Sequence, residues 1–372
     1  MSKPDINEAT VQAAFERVLE PSLNWNLIAL NLVKRIEVSG RDLEVDVNLV
    51  TRELELIDQF RIDVDALVTE RLRPDSFKLR IRAVDVTSEG VSAVKQIILV
   101  GSGKGGVGKS SIAMNLAGGL SKRGYRVGLM DADVHGPSAP TMLGVNERPE
   151  ALPDEYLMPV MAHGMKTMSI GYIIDERQAI DWRGVLASGT LLQFIQRTFW
   201  GELDYLVIDL PPGTGDIQLT LAKRLECAGV VIVTTPQEVV LGDVRRSINM
   251  FEKRDVPILG LVENMSFMTC PGCGHEHSPF PRSERVIEED PMSEVPLLAQ
   301  VPLSIEVSRA ADAGCPIVLR EDSGLFGDLF IGLAEKVSER AQESMARLAE
   351  RRALLMEELR AARDERSSRQ AG

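Results

Sequence analysis

The sequence predicts a doubly wound α/β fold with a mostly parallel sheet, preceded by a small α+β unit and followed by a helical tail. Two observations carry this. Short apolar runs recur at Ile97-Ile98-Leu99-Val100, Arg126 to Met130, Leu206-Val207-Ile208, Val230 to Val233 and Ile258 to Val262. Such runs suit strands buried on both faces of a parallel sheet. Between them lie helical segments, Ser110 to Lys122, Thr190 to Trp200, Ile217 to Arg224 and Val239 to Lys253. Strand and helix in alternation build βαβ units.

The flanks have a different texture. In residues 1–92, Val11, Ala14, Phe15 and Val18 sit at helical spacing. Ile36 and Val38, the turn Ser39-Gly40-Arg41-Asp42, and Leu43, Val45, Val47 and Leu49 read as a hairpin. Ile62 to Leu72 reads as a helix stopped before Pro74, and Phe77, Leu79 and Ile81 alternate like a strand. Thr87-Ser88-Glu89-Gly90 reads as a linker into the α/β domain, residues 93–322. Residues 323–372 are helical and highly charged. Ala341, Leu348 and Leu355 fall at heptad spacing, with Arg352 interrupting the companion position; a solvated terminal helix or a short coiled coil fits.

The chain has 372 residues, 44% hydrophobic and 26% charged, enough for packed cores. Its net charge of −13 argues against a generic duplex-DNA binder. The N-terminal MSKPDINEAT lacks the apolar core of a signal peptide, and no apolar stretch approaches a membrane span. The expectation is a cytoplasmic protein with neither nucleic acid nor membrane as partner. The four cysteines do not form a disulfide framework.

Gly103-Lys104-Gly105-Gly106-Val107-Gly108-Lys109-Ser110-Ser111 contains G-x-x-x-x-G-K-[ST] between an apolar strand and a helix. That context marks a phosphate-binding loop. Its backbone N–H groups and the helix N-terminus favour phosphate oxygens. Lys109 is expected to reach the β- and γ-phosphates, and the Ser110 hydroxyl to bind Mg²⁺. Two acidic segments follow. One is Asp131-Ala132-Asp133-Val134-His135-Gly136-Pro137-Ser138; the other is a strand ending in Asp209, followed by Pro211-Pro212-Gly213-Thr214-Gly215-Asp216. Carboxylates at strand ends can serve Mg²⁺ or cap a helix. His135 and His163 stand beside no obvious nucleophile and read as structural.

Cys270-Pro271-Gly272-Cys273 is a loop motif that can be redox-active, zinc-binding or cluster-binding. With His275 and His277 it forms C-x-x-C-x-H-x-H, nominally four zinc ligands but crowded for a tetrahedron. Two thiolates from each of two chains would instead supply the four ligands of one [4Fe–4S] cluster. Cys227 and Cys315 stand in small apolar settings and read as buried structural thiols.

The loop with its extra lysine, Lys104, resembles the deviant Walker A motif of the MinD/ParA class of dimeric ATPases. The ordered set of the loop, Asp131 to Ser138, Trp182-Arg183-Gly184, Asp204 to Asp216, Thr234-Thr235-Pro236-Gln237, Val262 to Ser266 and Cys270 to Gly274 more narrowly resembles the Mrp (ApbC-like) family of iron–sulfur cluster carriers. Residues 10–85 more weakly resemble the small domain that often precedes that ATPase. The resemblance implies a homodimeric ATPase that binds ATP, Mg²⁺ and a [4Fe–4S] cluster and works with apo iron–sulfur proteins and assembly scaffolds. It implies catalytic roles for Lys104, which reaches the facing subunit's nucleotide, for Lys109, and for Asp133, which positions the attacking water. Asp209 and Asp216 would serve the Mg²⁺ shell and second switch, and the Asn264 amide would contact adenine. Three departures stand out: Phe280-Pro281-Arg282-Ser283-Glu284-Arg285 replaces a glycine-rich stretch, Val50-Thr51-Arg52-Glu53-Leu54 lacks a cysteine, and Val185 replaces a proline. A positioning ATPase of the MinD/ParA kind and a zinc-stabilised regulatory ATPase are the alternatives.

Overall fold

The computed structural model describes residues 5–22, 25–28, 30, 32–51, 53–83, 90–134, 136–152, 156–173, 184–270, 272–280 and 292–370. Thr87 to Glu89, His135, Trp182-Arg183, Pro271 and the segment 281–285 fall outside them. The chain divides into two compact units, Met1–Ala93 with Ala151–Leu157, and Val94–Glu150 with Met158–Gly372.

In the first unit, α1 (Glu8–Phe15) buries Val11, Ala14 and Phe15, the face its periodicity predicts. Asn7 caps it by accepting from the Thr10 backbone N–H at 3.0 Å, while Thr10 Oγ1 accepts from the Asn7 N–H. β1 (Leu19–Glu20) pairs with β2 (Trp25–Asn26). β3 (Val33–Ser39) and β4 (Asp42–Leu49) form the expected hairpin, and alternation buries Leu43, Val45, Val47 and Leu49. α2 (Leu54–Arg71) begins earlier than the pattern from Ile62 implies, because Phe60, Val64 and Val68 form its buried stripe. β5 (Ser76–Ala83) then joins parallel to β4.

The second unit holds β6 (Val94–Ser102), α3 (Lys109–Lys122), β7 (Val127–Asp131), α4 (Ala139–Leu143), β8 (Val160–Ala162), β9 (Met165–Ser169), α5 (Gly184–Gln196), β10 (Leu203–Asp209), α6 (Asp216–Arg224), β11 (Gly229–Thr234), α7 (Glu238–Glu252), β12 (Ile258–Asn264), β13 (Met268–Thr269), β14 (Glu276–His277), β15 (Leu297–Val301), α8 (Ile305–Asp312) and α9 (Gly324–Gln370). Its eight-stranded sheet runs β15-β12-β11-β6-β10-β7-β9-β8. Every neighbouring pair is parallel except β8–β9. All five predicted strands lie in it, with β6 between β11 and β10. Ligands bind beyond the carboxyl ends of such strands, where the order reverses.

The β8–β9 pair and β15 were not legible as apolar runs. β9 reads Met165-Lys166-Thr167-Met168-Ser169 yet is wholly buried. Its polar groups are satisfied internally: Lys166 Nζ donates to the Trp200 carbonyl at 2.8 Å, and Thr167 Oγ1 to the Val160 carbonyl at 2.9 Å.

The expectation of a solvated tail from residue 323 needs correction over the first half of α9. Phe330, Leu333, Ala334, Val337 and Ala341 are fully buried. The helix lies so close to α3 that a Cβ on Gly119 would stand 2.7 Å from the Phe330 carbonyl oxygen. Ser344 Oγ donates to the Ala228 carbonyl at 2.6 Å, and Lys336 Nζ to the Leu298 carbonyl at 2.8 Å. In the heptad series Leu348 is half-buried, and the Leu355 side chain lies outside the described residues. Phe330→Ala should therefore cost about 3–5 kcal/mol, as for an aromatic side chain lost from a packed core. Denaturant unfolding reads this; a loss below about 1 kcal/mol would mean that the helix is dispensable to the unit.

Candidate functional site

The phosphate-loop motif lies where β6 ends and α3 begins, at the centre of the sheet. Gly108 adopts φ +81°, and a Cβ there would fall 2.2 Å from Asn264 Nδ2. Glycine is therefore required both for the left-handed turn and for the close approach. Ser102 Oγ donates to the Lys104 carbonyl at 2.9 Å, and the Gly213 N–H donates to the Ser102 carbonyl at 2.9 Å. These bonds join the phosphate loop to the loop that follows β10.

Lys109 and Asp209 form a buried ion pair between Nζ and Oδ1. Lys109 Nζ also lies 3.3 Å from Ser110 Oγ. Asp209 Oδ2 is buried and accepts no hydrogen bond. Burial pushes the Asp209 carboxyl upward in pKa; the charge of Lys109 opposes this. An acceptor-only oxygen held beside a serine hydroxyl is a donor set that suits Mg²⁺.

Asp131, one of the strand-end carboxylates that could serve Mg²⁺ or cap a helix, has both oxygens filled by protein donors. Its Oδ1 accepts from the Asp133 N–H at 3.1 Å. Its Oδ2 accepts from the N–H groups of Ser138 at 2.9 Å and Ala139 at 3.0 Å, and from Ser169 Oγ at 3.2 Å. It therefore caps α4 and ties the 132–138 loop to β9. Burial first, then the Asp209 charge, raises its pKa to about 6. Asp133 is half-buried, its Oδ1 accepting from the Gly136 N–H at 3.3 Å. It lies near enough to Asp209 to raise that residue's pKa. Lys104, Gly105, Gly106 and Asp216 are exposed, whereas Val107 is buried. Asn264 Nδ2 donates to the Val107 carbonyl at 2.8 Å, so its amide nitrogen braces the loop.

Sequence reasoning missed two residues. Gln218 is buried in α6 and donates through Nε2 to the carbonyls of Pro211 at 2.8 Å and Pro212 at 3.0 Å, fixing the loop after β10. A polar residue beside the buried Ile217 was the available signal. Met265 holds φ +53° directly after β12, and nothing in its type announces that.

Cys270 and Cys273 lie in the loop of a short hairpin between β13 and β14. The Cys270 N–H donates to the His275 carbonyl at 2.9 Å, and the Gly274 N–H to the Cys270 carbonyl at 2.8 Å. Cys270 is half-buried and Cys273 exposed. The Gly272 N–H, then that of Cys273, holds the Cys270 thiol below its ordinary pKa. His275 and His277 pack edge to face on each other, centroids 4.7 Å apart. Among the described residues no group of three or more His, Cys, Asp or Glu is gathered as a metal site. Cys227 is buried and Cys315 half-buried.

The sequence matches the ParA family model, described as NUBPL iron-transfer P-loop NTPase, over residues 93–338. The chain belongs to this family. It is 43% identical over 320 residues to the iron-sulfur cluster carrier protein of Deinococcus radiodurans, covering 84% of this chain and 89% of that relative. With the iron-sulfur cluster carrier protein of Haemophilus influenzae it shares 42% identity over 341 residues, 88% of this chain and 90% of the relative. The fold is similar to that of a nucleotide-binding protein from Archaeoglobus fulgidus in complex with ADP, with TM-score 0.54 and 36% identity over 64% of this chain and 95% of that one. Among the described residues no helix is long and apolar enough to cross a membrane.

Thiol reactivity tests the local electrostatics. A lowered pKa gives more thiolate at a given pH, whereas burial pushes Cys227 up to about 11. Near pH 8, alkylation followed by peptide mass spectrometry should label Cys270 early and Cys227 last. Equal rates would contradict the stabilised thiolate.

Proposed function

We propose that this chain is an ATP-binding, slowly ATP-hydrolysing carrier that holds a labile [4Fe–4S] cluster between two copies of itself and passes it to apo-proteins. It would receive the cluster from assembly proteins in the cytoplasm. The observation that carries the reading is a pair of accessible thiols on a hairpin that continues from β12, whose last residue, Asn264, grips the phosphate loop. The relatives named as iron-sulfur cluster carriers support it.

In this reading Lys109, held by Asp209 in the free chain, turns to the β- and γ-phosphates when a nucleotide supplies the stronger anion. Ser110 Oγ and Asp209 would hold Mg²⁺, which neutralises charge on the phosphates. Asp133 orients the attacking water, and exposed Lys104 reaches the nucleotide of the second copy. Asp216, in the first turn of α6, senses the change after β10. The Asn264 Oδ1 remains able to accept from an adenine amino group. The cluster is cargo: Cys270 and Cys273 from each copy supply four thiolates.

Lys109→Ala removes the charge on the phosphates and should abolish hydrolysis; unchanged turnover would refute the nucleotide site. Asp133→Asn should preserve binding and lower turnover by about two orders of magnitude or more, as for a lost positioning group. Anaerobic reconstitution should yield about four iron and four sulfide per two chains, lost in Cys270→Ala and in Cys273→Ala but retained in His275→Ala and His277→Ala. A colourless protein with zinc, lost in both histidine variants, would leave only an ATPase.

A further inference from the structure

We infer that Asn264 and Met265 form a relay through which nucleotide in the phosphate loop alters the accessibility of the Cys270 and Cys273 thiols. The inference rests on the proposed reading of both sites and adds the route between them.

The route begins in one peptide group. The Val107 carbonyl, which accepts from Asn264 Nδ2 at 2.8 Å, and the Gly108 N–H are opposite ends of the same planar unit. When that N–H turns toward a phosphate, the carbonyl must turn with it, and Asn264 holds the carbonyl. Packing leaves little slack. A Cβ on Gly108 would meet Asn264 Nδ2 at 2.2 Å, so the Asn264 amide lies hard against the loop.

The next link is stiff. Met265 occupies the left-handed region at φ +53°, where a side chain leaves a narrow well and little free rotation to absorb a displacement. Beyond it, the Ser266 N–H donates to the Val301 carbonyl at 3.0 Å, and the Leu303 N–H to the Phe267 carbonyl at 2.7 Å. The end of β12, the turn and residues 301–303 therefore move as one body, and β13 with the cysteine loop is attached directly to it. Asn264 and Met265 are positioning residues for the thiols.

The test uses the reduced, metal-free full chain. Iodoacetamide labelling of Cys270 and Cys273 is followed by peptide mass spectrometry, with and without a saturating non-hydrolysable ATP analogue and Mg²⁺. In the wild type the analogue should change the labelling rate by about fivefold or more, the lower end of ordinary coupling between sites. In Met265→Gly, which adopts the same φ without restriction, the change should fall below about twofold while the analogue still binds. Asn264→Ala, read at saturating nucleotide, should show the same loss. A wild type whose labelling ignores the analogue, or a Met265→Gly variant with the full response, would overturn the relay. Because no cluster is present, a failure to bind iron would refute the cargo reading without touching this result.

Discussion

The buried pair of Lys109 and Asp209 is the interaction on which the nucleotide site depends. Burying either charge alone would be costly, and breaking such a pair leaves an uncompensated ion. Its two halves come from different elements, the first residue of α3 and the last residue of β10, so the pair exists only when the sheet is in register. It also leaves one Asp209 oxygen buried without a partner, a group stabilised by a cation rather than by more protein. Burial, then the charge of the same carboxylate, raises the pKa of Asp131, whose side chain ties down the loop carrying Asp133.

On the other side, β11 and β12 bring Asn264 against the phosphate loop. The cysteine hairpin follows without an intervening helix. Two chemistries that need different environments are therefore placed a short distance apart in the chain. Phosphate binding needs a backbone held in place, and in the proposed carrier role thiolate donation would need sulfur exposed on a loop. The carboxyl end of the parallel sheet carries both the glycine loop after β6 and the hairpin that follows β12.

Much of this was legible in the sequence because one residue type carried one requirement. Strands buried on both faces must be apolar, so β6, β10, β11 and β12 stood out; a phosphate loop must have glycine and lysine at fixed spacing. The unread parts are those where one residue type serves two roles. A carboxylate at a strand end reads the same as a metal ligand or as a helix cap, and Asp131 proved to have its oxygens filled by backbone and serine donors. β9 escaped notice because its polar residues are paired internally. The burial of α9 was hidden by charge: Phe330, Leu333, Val337 and Ala341 form the stripe, but the acidic and basic residues between them dominate the composition.

Transfer of the cargo tests the central claim most directly. The reconstituted chain is mixed with an apo [4Fe–4S] protein in the presence of a chelator that traps free iron, and the recipient's cluster is followed by its spectrum. If the chain is a carrier, the recipient gains its cluster despite the chelator, and the Cys270→Ala chain donates none. If the chelator takes all the iron and the recipient stays empty, the chain only binds a cluster and the carrier account is wrong.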